Sequence, residues 1–335
     1  MINGRSRDGT VHAVSYRELD QHVQQFAGGL YDLGVRTGDV VAFQLPDWWE
    51  TAALLLAAMR VGAIAQPLVP ELRARELERV LARTAARVCV VVDSWAGFGH
   101  ADALAEMAPR LPHLQHRVVF GDAASTDALD FHDCFFSGPE NSMPRPLPAL
   151  EPDRACLVLF TSGSTGEAKG VLHSFNTIYA GARGLTAETT ALAPGVDKAA
   201  VTSRISHIAG PLWSVFGILL SGGTGIYQDT SDPERMLDLM ELAGVTRLLA
   251  TPPRLFDLLD AQQRRPRSLP SLHTVVSGAT PIPSHLVSTV RQVFGVPLRA
   301  VWGMTEVVVG SVVGIDDPPD WSAHSDGRAL PGLEL

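Results

Sequence analysis

Two hydrophobic periods alternate along the chain. Leu19, Val23, Phe26, Leu30 and Leu33 recur at helical spacing. In front of them Ser15-Tyr16-Arg17-Glu18 fits a capping box: Ser15 takes a free helix N–H and Glu18 reaches back. Gly34 is placed to stop that helix. Short apolar runs then trade places with helical ones in regular order. VVAFQL is followed by the helix WWETAALLLAAMRVG, AIAQPLV by an Arg-rich helix from about Pro70 to Ala86, and RVCVVVD by the helix ADALAEMAPRL, before the run HRVVFGD. Strands that are apolar on both faces and alternate with helices predict a parallel sheet covered on both sides.

Residues 137–153, rich in proline and polar side chains, read as a surface linker or a crossing between lobes. Beyond them, strands are expected at ACLVLFTSG, AAVTSRI, GTGIYQ, VTRLLAT, LHTVVSG and LRAVWG, and helices at 174–192, 211–221, 233–243, 252–263 and 283–294. A length of 335 residues accommodates about two domains or one large one. The expected halves are 1–148, a first α/β lobe, and 149–335.

Composition narrows the function classes. With 46% hydrophobic and 19% charged residues the chain is core-forming. A formal charge of −9 argues against general binding of nucleic acid or acidic membranes. The longest apolar stretch, AALLLAAMRVGAIA, is interrupted by Arg60, so no membrane span is expected. The start, MINGRSRDG, lacks the apolar segment of a secretory signal, and a cytoplasmic location is expected. Cys89, Cys134 and Cys156 are scattered and odd in number, which reads as reduced thiols rather than a disulfide or metal framework. Of 27 basic residues only Lys169 and Lys198 are lysine.

The strongest chemical signal is Thr161-Ser162-Gly163-Ser164-Thr165-Gly166-Glu167-Ala168-Lys169-Gly170, directly after the strand LVLF. Glycines let the backbone turn tightly and approach a ligand, and successive N–H groups in such a turn make an anion-binding concavity. Hydroxyls add donors and Lys169 a positive charge, a set suited to a polyphosphate. A flexible linker of small residues would need neither the buried strand before it nor the lysine after it. The Walker pattern is absent, since Ala168 precedes the lysine and Gly170 follows it.

TSGSTGEAKG resembles the signature loop of the AMP-forming adenylating enzymes, the superfamily of acyl- and aryl-CoA synthetases, luciferase and the adenylation domains of nonribosomal peptide synthetases. Further segments follow in that family's order. SYREL resembles the start of its first long amphipathic helix, SHIAG (Ser206 to Gly210) its His-containing acyl-site segment, and SGATPIP (Ser277 to Pro283) its adenine-binding turn. VWGMTE (Val301 to Glu306) resembles its aromatic-Gly-x-Thr-Glu motif, and GRALPG (Gly327 to Gly332) the run leading out of its core, with Ala329 where the pattern has proline. The resemblance spans nearly the whole chain and is nearest to the acyl-CoA synthetases. It implies an α/β fold of two mostly parallel, helix-flanked sheets packed together, with an incomplete barrel-like part and no mobile lid.

The resemblance also implies roles. Thr161, Ser162, Gly163, Ser164, Thr165, Gly166 and Lys169 would hold ATP phosphates, with Gly278, Ala279, Thr280, Trp302, Gly303, Met304 and Thr305 completing the nucleotide site. Trp302 can lay a flat face on adenine, Thr305 can donate to a phosphate, and Glu306 can hold Mg²⁺, a hard cation that prefers oxygen ligands. His207, Ile208, Trp213, Phe216 and Gly303 would line the acyl site, with His207 near the reacting carboxylate; otherwise His207 and Trp302 are ordinary core residues, and Glu306 an ordinary solvated acid. Lys169, His207, Thr305 and Glu306 are the catalytic set.

The implied reaction turns ATP and a carboxylic acid into an acyl-adenylate and pyrophosphate, and then passes the acyl group to coenzyme A or a carrier protein. From Lys198 to Gln228 there is no Asp or Glu to pair the ammonium of an amino acid, which favours a fatty, alicyclic or aromatic acid. The family's Thr-Gly-Asp motif, which grips the ribose, and its lid domain with a second lysine do not occur within these residues. Lys198, expected in a loop after the helix 174–192, does not substitute. Impaired adenylation by the chain alone is therefore expected, with the missing part supplied in trans or the chain acting as a binding module. An exposed VVVGSVVGI is expected to favour self-association.

Overall fold

The computed structural model describes residues 1–124, 126–137, 150–161, 168–189 and 195–334. Most of the predicted linker, 138–149, and Ser162–Glu167 of the small-residue loop lie outside the described residues. By packing, the chain divides into two compact units: Val14–Phe175, and Met1–Ala13 together with Asn176–Leu335. The expected halves, 1–148 and 149–335, differ from this division because strand Ala155–Thr161 pairs in parallel with Ile64–Pro67, and so belongs with the earlier strands.

In Val14–Phe175 a seven-stranded sheet runs in the order Lys169–Ser174, Ala155–Thr161, Ile64–Pro67, Val40–Gln44, Val88–Val92, His116–Phe120, Leu129–Asp130. All neighbours are parallel except the outermost hairpin, Ala155–Thr161 with Lys169–Ser174. Helix Tyr16–Asp32 starts at the predicted capping box: the Ser15 hydroxyl accepts from the Glu18 N–H at 3.2 Å and the Glu18 carboxylate accepts from the Ser15 N–H at 2.8 Å. Hydrogen bonds from the Ser15 backbone and side chain hold the Glu18 carboxyl below the usual carboxylate range. Gly34, with φ +77°, ends the helix, and the Val35 N–H then reaches back to the Leu30 carbonyl.

Both sheet faces are covered. Cys89 and Val91 join Leu77, Leu81, Leu104 and Met107 in one apolar cluster. Val88, Val90 and Val92 are equally buried and point the other way by strand alternation. Phe26 lies at the centre of an aromatic group, its ring 5.5 Å from Phe131, 5.2 Å from Phe135 and 6.3 Å from Trp49. Burial pushes the Cys89 and Cys156 thiols up to about 12 and Cys134 up to about 11, in keeping with reduced, unreactive cysteines.

The second unit holds a nine-stranded sheet in the order Arg328–Ala329, Ser311–Val312, Leu298–Trp302, Thr274–Gly278, Arg247–Leu249, Lys198–Val201, Thr224–Gln228, Ile2–Gly4, Val11–Ala13. The six strands from Leu298–Trp302 to Ile2–Gly4 are parallel, and the outer pairs antiparallel. The expectation that Lys198 sits in a loop is corrected: it opens a strand, and its ammonium donates to the Ala243 carbonyl at 2.9 Å. The predicted helix 211–221 is three joined turns, Ala209–Pro211, a π turn Leu212–Phe216, and Gly217–Ser221.

The expected exposure of VVVGSVVGI is also corrected. Val308, Val309, Val312 and Val313 are buried, because Ser311–Val312 pairs with Val301 and Trp302 while Val308 packs against Gly181 of helix Phe175–Thr189; only Val307 among these valines is exposed. Under the sheet Arg247 is almost fully buried. It pairs with Asp197, donates to the Thr189 hydroxyl at 2.6 Å, and lies 4.8 Å from the Trp213 ring centroid. Burial lowers its pKa, and the Asp197 carboxylate opposes that shift.

Two predictions follow from these buried groups. Arg247→Met strands Asp197 without its partner and should cost about 3–5 kcal/mol, read as an earlier urea transition, with the double variant Arg247→Met/Asp197→Leu recovering most of the loss. His100 is fully buried, and its Nδ1 lies 3.1 Å from Gln44 Oε1; the Gln44 amide nitrogen donates to the Val69 and Leu72 carbonyls, so Nδ1 carries the proton. Nε2 has no partner among the described residues, and burial, aided by the Arg73 charge, pulls the imidazole pKa down to about 4. The unfolded chain binds the extra proton first, so stability falls as pH drops from about 6.5 toward 4. His100→Gln should flatten that acid limb; an unchanged slope refutes the assignment.

Candidate functional site

Four parallel strands of the Met1–Ala13/Asn176–Leu335 unit deliver their carboxyl ends to one sheet edge. Val201 pairs with Leu249, Leu249 with Val276, and Gly278 with Val301, so Thr274–Gly278 and Leu298–Trp302 run furthest toward that edge. In open α/β sheets this is the edge where ligands bind. The segments leaving it are Thr202–Gly210, Ala250–Thr251, Ala279–Thr280 and Gly303–Glu306. The register thus brings together Gly278, Ala279 and Thr280 with Trp302, Gly303, Met304, Thr305 and Glu306, and His207 and Ile208 follow a strand of the same edge.

The turn after Trp302 is tightly built. A Cβ on Gly303 would lie 2.4 Å from the Val308 carbonyl oxygen, so only glycine fits. One on Gly310 would fall 2.2 Å from the Trp302 ring, so the bare backbone just before the next strand lies against the indole, which remains 41% exposed. Ala279 (φ +69°) and Val308 (φ +67°) both adopt left-handed backbone, a costly conformation for residues with a Cβ and especially for β-branched valine. Such strain concentrates where a turn must present groups in a set geometry. Met304 and Glu306 are exposed and Thr305 is half-buried.

The acyl-site candidates divide by burial. His207 is exposed, and its backbone N–H donates to the Arg204 carbonyl at 3.0 Å. Ile208 and Phe216 are half-buried against the cluster containing Leu212, Val276 and Val308, and Trp213 lies within that cluster over Arg247. Two buried hydroxyls near these segments, Ser206 and Ser277 of strand Thr274–Gly278, have no hydrogen-bond partner among the described residues.

In Val14–Phe175, Thr161 and Lys169 are cross-strand partners that flank the small-residue loop. Ser162, Gly163, Ser164, Thr165 and Gly166 are outside the described residues. Lys169 is exposed, and Arg83 of helix Ala74–Thr84 donates to the carbonyl of its neighbour Ala168 at 3.0 Å. Among the described residues no cluster of three or more His, Cys, Asp or Glu could hold a metal, and no helix is long and apolar enough to cross a membrane.

Val308, Gly310 and the Arg247–Asp197 pair were not singled out in the sequence. Their roles depend on partners across strands, and no local spacing marks them.

Comparison with known proteins gives the class. Residues 5–335 match the model of the AMP-binding enzyme family, and the chain belongs to that family. It is 30% identical over 324 residues to the medium-chain fatty-acid–CoA ligase of Escherichia coli, covering 96% of this chain and 56% of that protein. It is 27% identical over 318 residues to the 2,3-dihydroxybenzoate–AMP ligase of Bacillus subtilis, covering 94% and 57%. The chain therefore spans a little over half the length of these relatives. The fold is shared with the anthranilate CoA ligase AuaEII solved with anthranoyl-AMP, at a TM-score of 0.86, 21% identity, and coverage of 99% of this chain and 62% of that one. It is shared too with the N-terminal domain of FACL13 from Mycobacterium tuberculosis, at a TM-score of 0.81, 20% identity, and coverage of 98% and 78%.

Gly303→Ala forces the Val308 carbonyl away and should cost about 1–3 kcal/mol, seen as a lower thermal midpoint. An unaltered midpoint would contradict the packing described for this turn.

Proposed function

We propose that this chain forms the nucleotide- and acid-binding part of an ATP-dependent carboxylic acid:thiol ligase of the acyl-CoA synthetase kind. The observation that carries the reading is the shared edge on which Gly278–Thr280 and Trp302–Glu306 leave paired strands, with an exposed indole, a hydroxyl and a carboxylate in one turn.

In this reading Trp302 stacks on adenine, and the Ala279–Thr280 turn borders it. Lys169 is the proposed counter-charge for the outer phosphates. The acid's carboxylate oxygen attacks the α-phosphorus, the bond to the β-phosphate breaks, and pyrophosphate leaves. The thiol sulfur then attacks the acyl carbon, the thiol proton passes to solvent, and AMP departs. Catalysis of the first step is positioning and charge stabilisation, because substitution at phosphorus asks little covalent chemistry of the protein.

The residues present fit Mg²⁺, which typically takes one or two carboxylates and completes its shell with water and substrate phosphates. Glu306 is the exposed carboxylate for it, beside the Thr305 hydroxyl. When bound, the ion offsets phosphate charge. Ile208 and Phe216 offer an apolar wall, and the segment between Lys198 and Gln228 has no carboxylate, which supports a fatty, alicyclic or aromatic acid. Coenzyme A is the proposed acceptor, and His207 the polar group at the acyl end. A carrier protein as acceptor is the second reading, and the 2,3-dihydroxybenzoate–AMP ligase relative keeps it in view.

Isothermal titration with ATP–Mg²⁺ should show binding that Lys169→Ala and Glu306→Ala each weaken. In an adenylation assay each should lower the rate about 10²–10³-fold. No heat with the unmutated protein would overturn the reading. Thiol exchange assays with coenzyme A and with a carrier protein would separate the two acceptors.

A further inference from the structure

Helix Ala74–Thr84 buries Leu77, Val80 and Leu81 and turns Arg75, Arg79 and Arg83 outward. The three arginines follow each other at intervals of four, so they form a line with about 5–6 Å between successive Cβ atoms. Like charges at that spacing disfavour a helix, and no ion pair with a described acid offsets Arg75 or Arg79. Glu78 is held in a two-pronged pair by Arg110, 2.8 Å on each prong. Glu76 borders the line but forms no ion pair with a described residue, and neither do Arg75 and Arg79. The inner end is anchored: Arg83 donates to the Ala168 carbonyl, one residue before Lys169. The line therefore runs along the surface of Val14–Phe175 to the lysine that flanks the small-residue loop.

The whole molecule carries a charge of −9 and so repels anions at long range. A row of unpaired cations ending at Lys169 reverses that field locally. We propose that Arg75, Arg79 and Arg83 form a steering track that guides the polyphosphate of ATP toward Lys169, raising its association rate, with Arg83 also positioning the backbone beside the lysine. The inference rests on the reading of Lys169 as a phosphate ligand.

Distance makes the idea specific. The Debye length is about 30 Å at 10 mM salt, about 8 Å at 0.15 M and about 3 Å at 1 M. Each arginine further from Lys169 should matter less as salt rises.

The test is stopped-flow binding of a fluorescent ATP analogue to the full chain. Arg79→Glu and Arg75→Glu should each slow association about 3–10-fold at 10 mM salt. At 0.15 M the Arg79 variant should remain the slower of the two, and at 1 M both should match the unmutated protein. Dissociation should not change, and Arg79→Lys, which keeps the charge, should bind at the unmutated rate. Equal association rates at 10 mM, or a defect that persists at 1 M, would overturn the track. If the unmutated chain binds no nucleotide, the reading of Lys169 falls and the track with it. If it binds, and Lys169→Ala weakens binding while charge reversal at 75 and 79 is silent at low salt, the track alone fails.

Discussion

The pairing of Gly278 with Val301 in adjacent parallel strands sets what the candidate site is able to be. Parallel neighbours end at the same edge, so the two turns that follow must leave the sheet side by side. They must also be tight, because the chain after Trp302 doubles back to pair Ser311 with it. Gly303 and Gly310 remove the side chains that would block this return, while Ala279 and Val308 adopt left-handed backbone that costs of order 1–3 kcal/mol each. Burial of Val308, Val309 and Val312 in the cluster with Leu185 and Leu212 offsets that strain. Apolar packing beneath the turn thus holds a polar, exposed surface in place above it.

Buried charge plays a comparable part in the same unit. Arg247 stands on the central strand Arg247–Leu249, with Asp197, the Thr189 hydroxyl and the Trp213 ring around it. These contacts connect the strand, the segment entering Lys198–Val201, and the π turn that carries the acyl-site candidates Trp213 and Phe216. Each of these elements is constrained by a polar group that tolerates few other arrangements, since an unpaired buried charge is costly.

Much of this was legible from local pattern. The capping box at Ser15 and the stop at Gly34 are contained within one helix, and the structure has both. The apolar runs around Val41, Val90 and Val118 became parallel strands because their valines can be buried on both sheet faces. What escaped was structure made by distant partners. Ile2–Gly4 joins the nine-stranded sheet by pairing with Thr224–Gln228, more than two hundred residues on. Lys169–Ser174 hides its pattern by turning Leu172 outward and His173 inward. Lys198 looked like loop because it stands between the helix 174–192 and the apolar run AAVTSRI, yet the Ala243 carbonyl accepts from it at the start of a strand. VVVGSVVGI looked exposed because its cover is helix Phe175–Thr189, far back in the chain.

Residue type and spacing alone determined the α/β alternation, the chemistry available around Lys169 and Glu306, and the absence of acid groups between Lys198 and Gln228. These are local properties, carried by side chains whatever the chain does elsewhere. Tertiary structure decided which of the motifs share an edge, which apolar groups are covered, and which arginines are left unpaired. Those outcomes depend on strand register and on contacts between residues far apart in sequence, and a one-dimensional pattern does not record them.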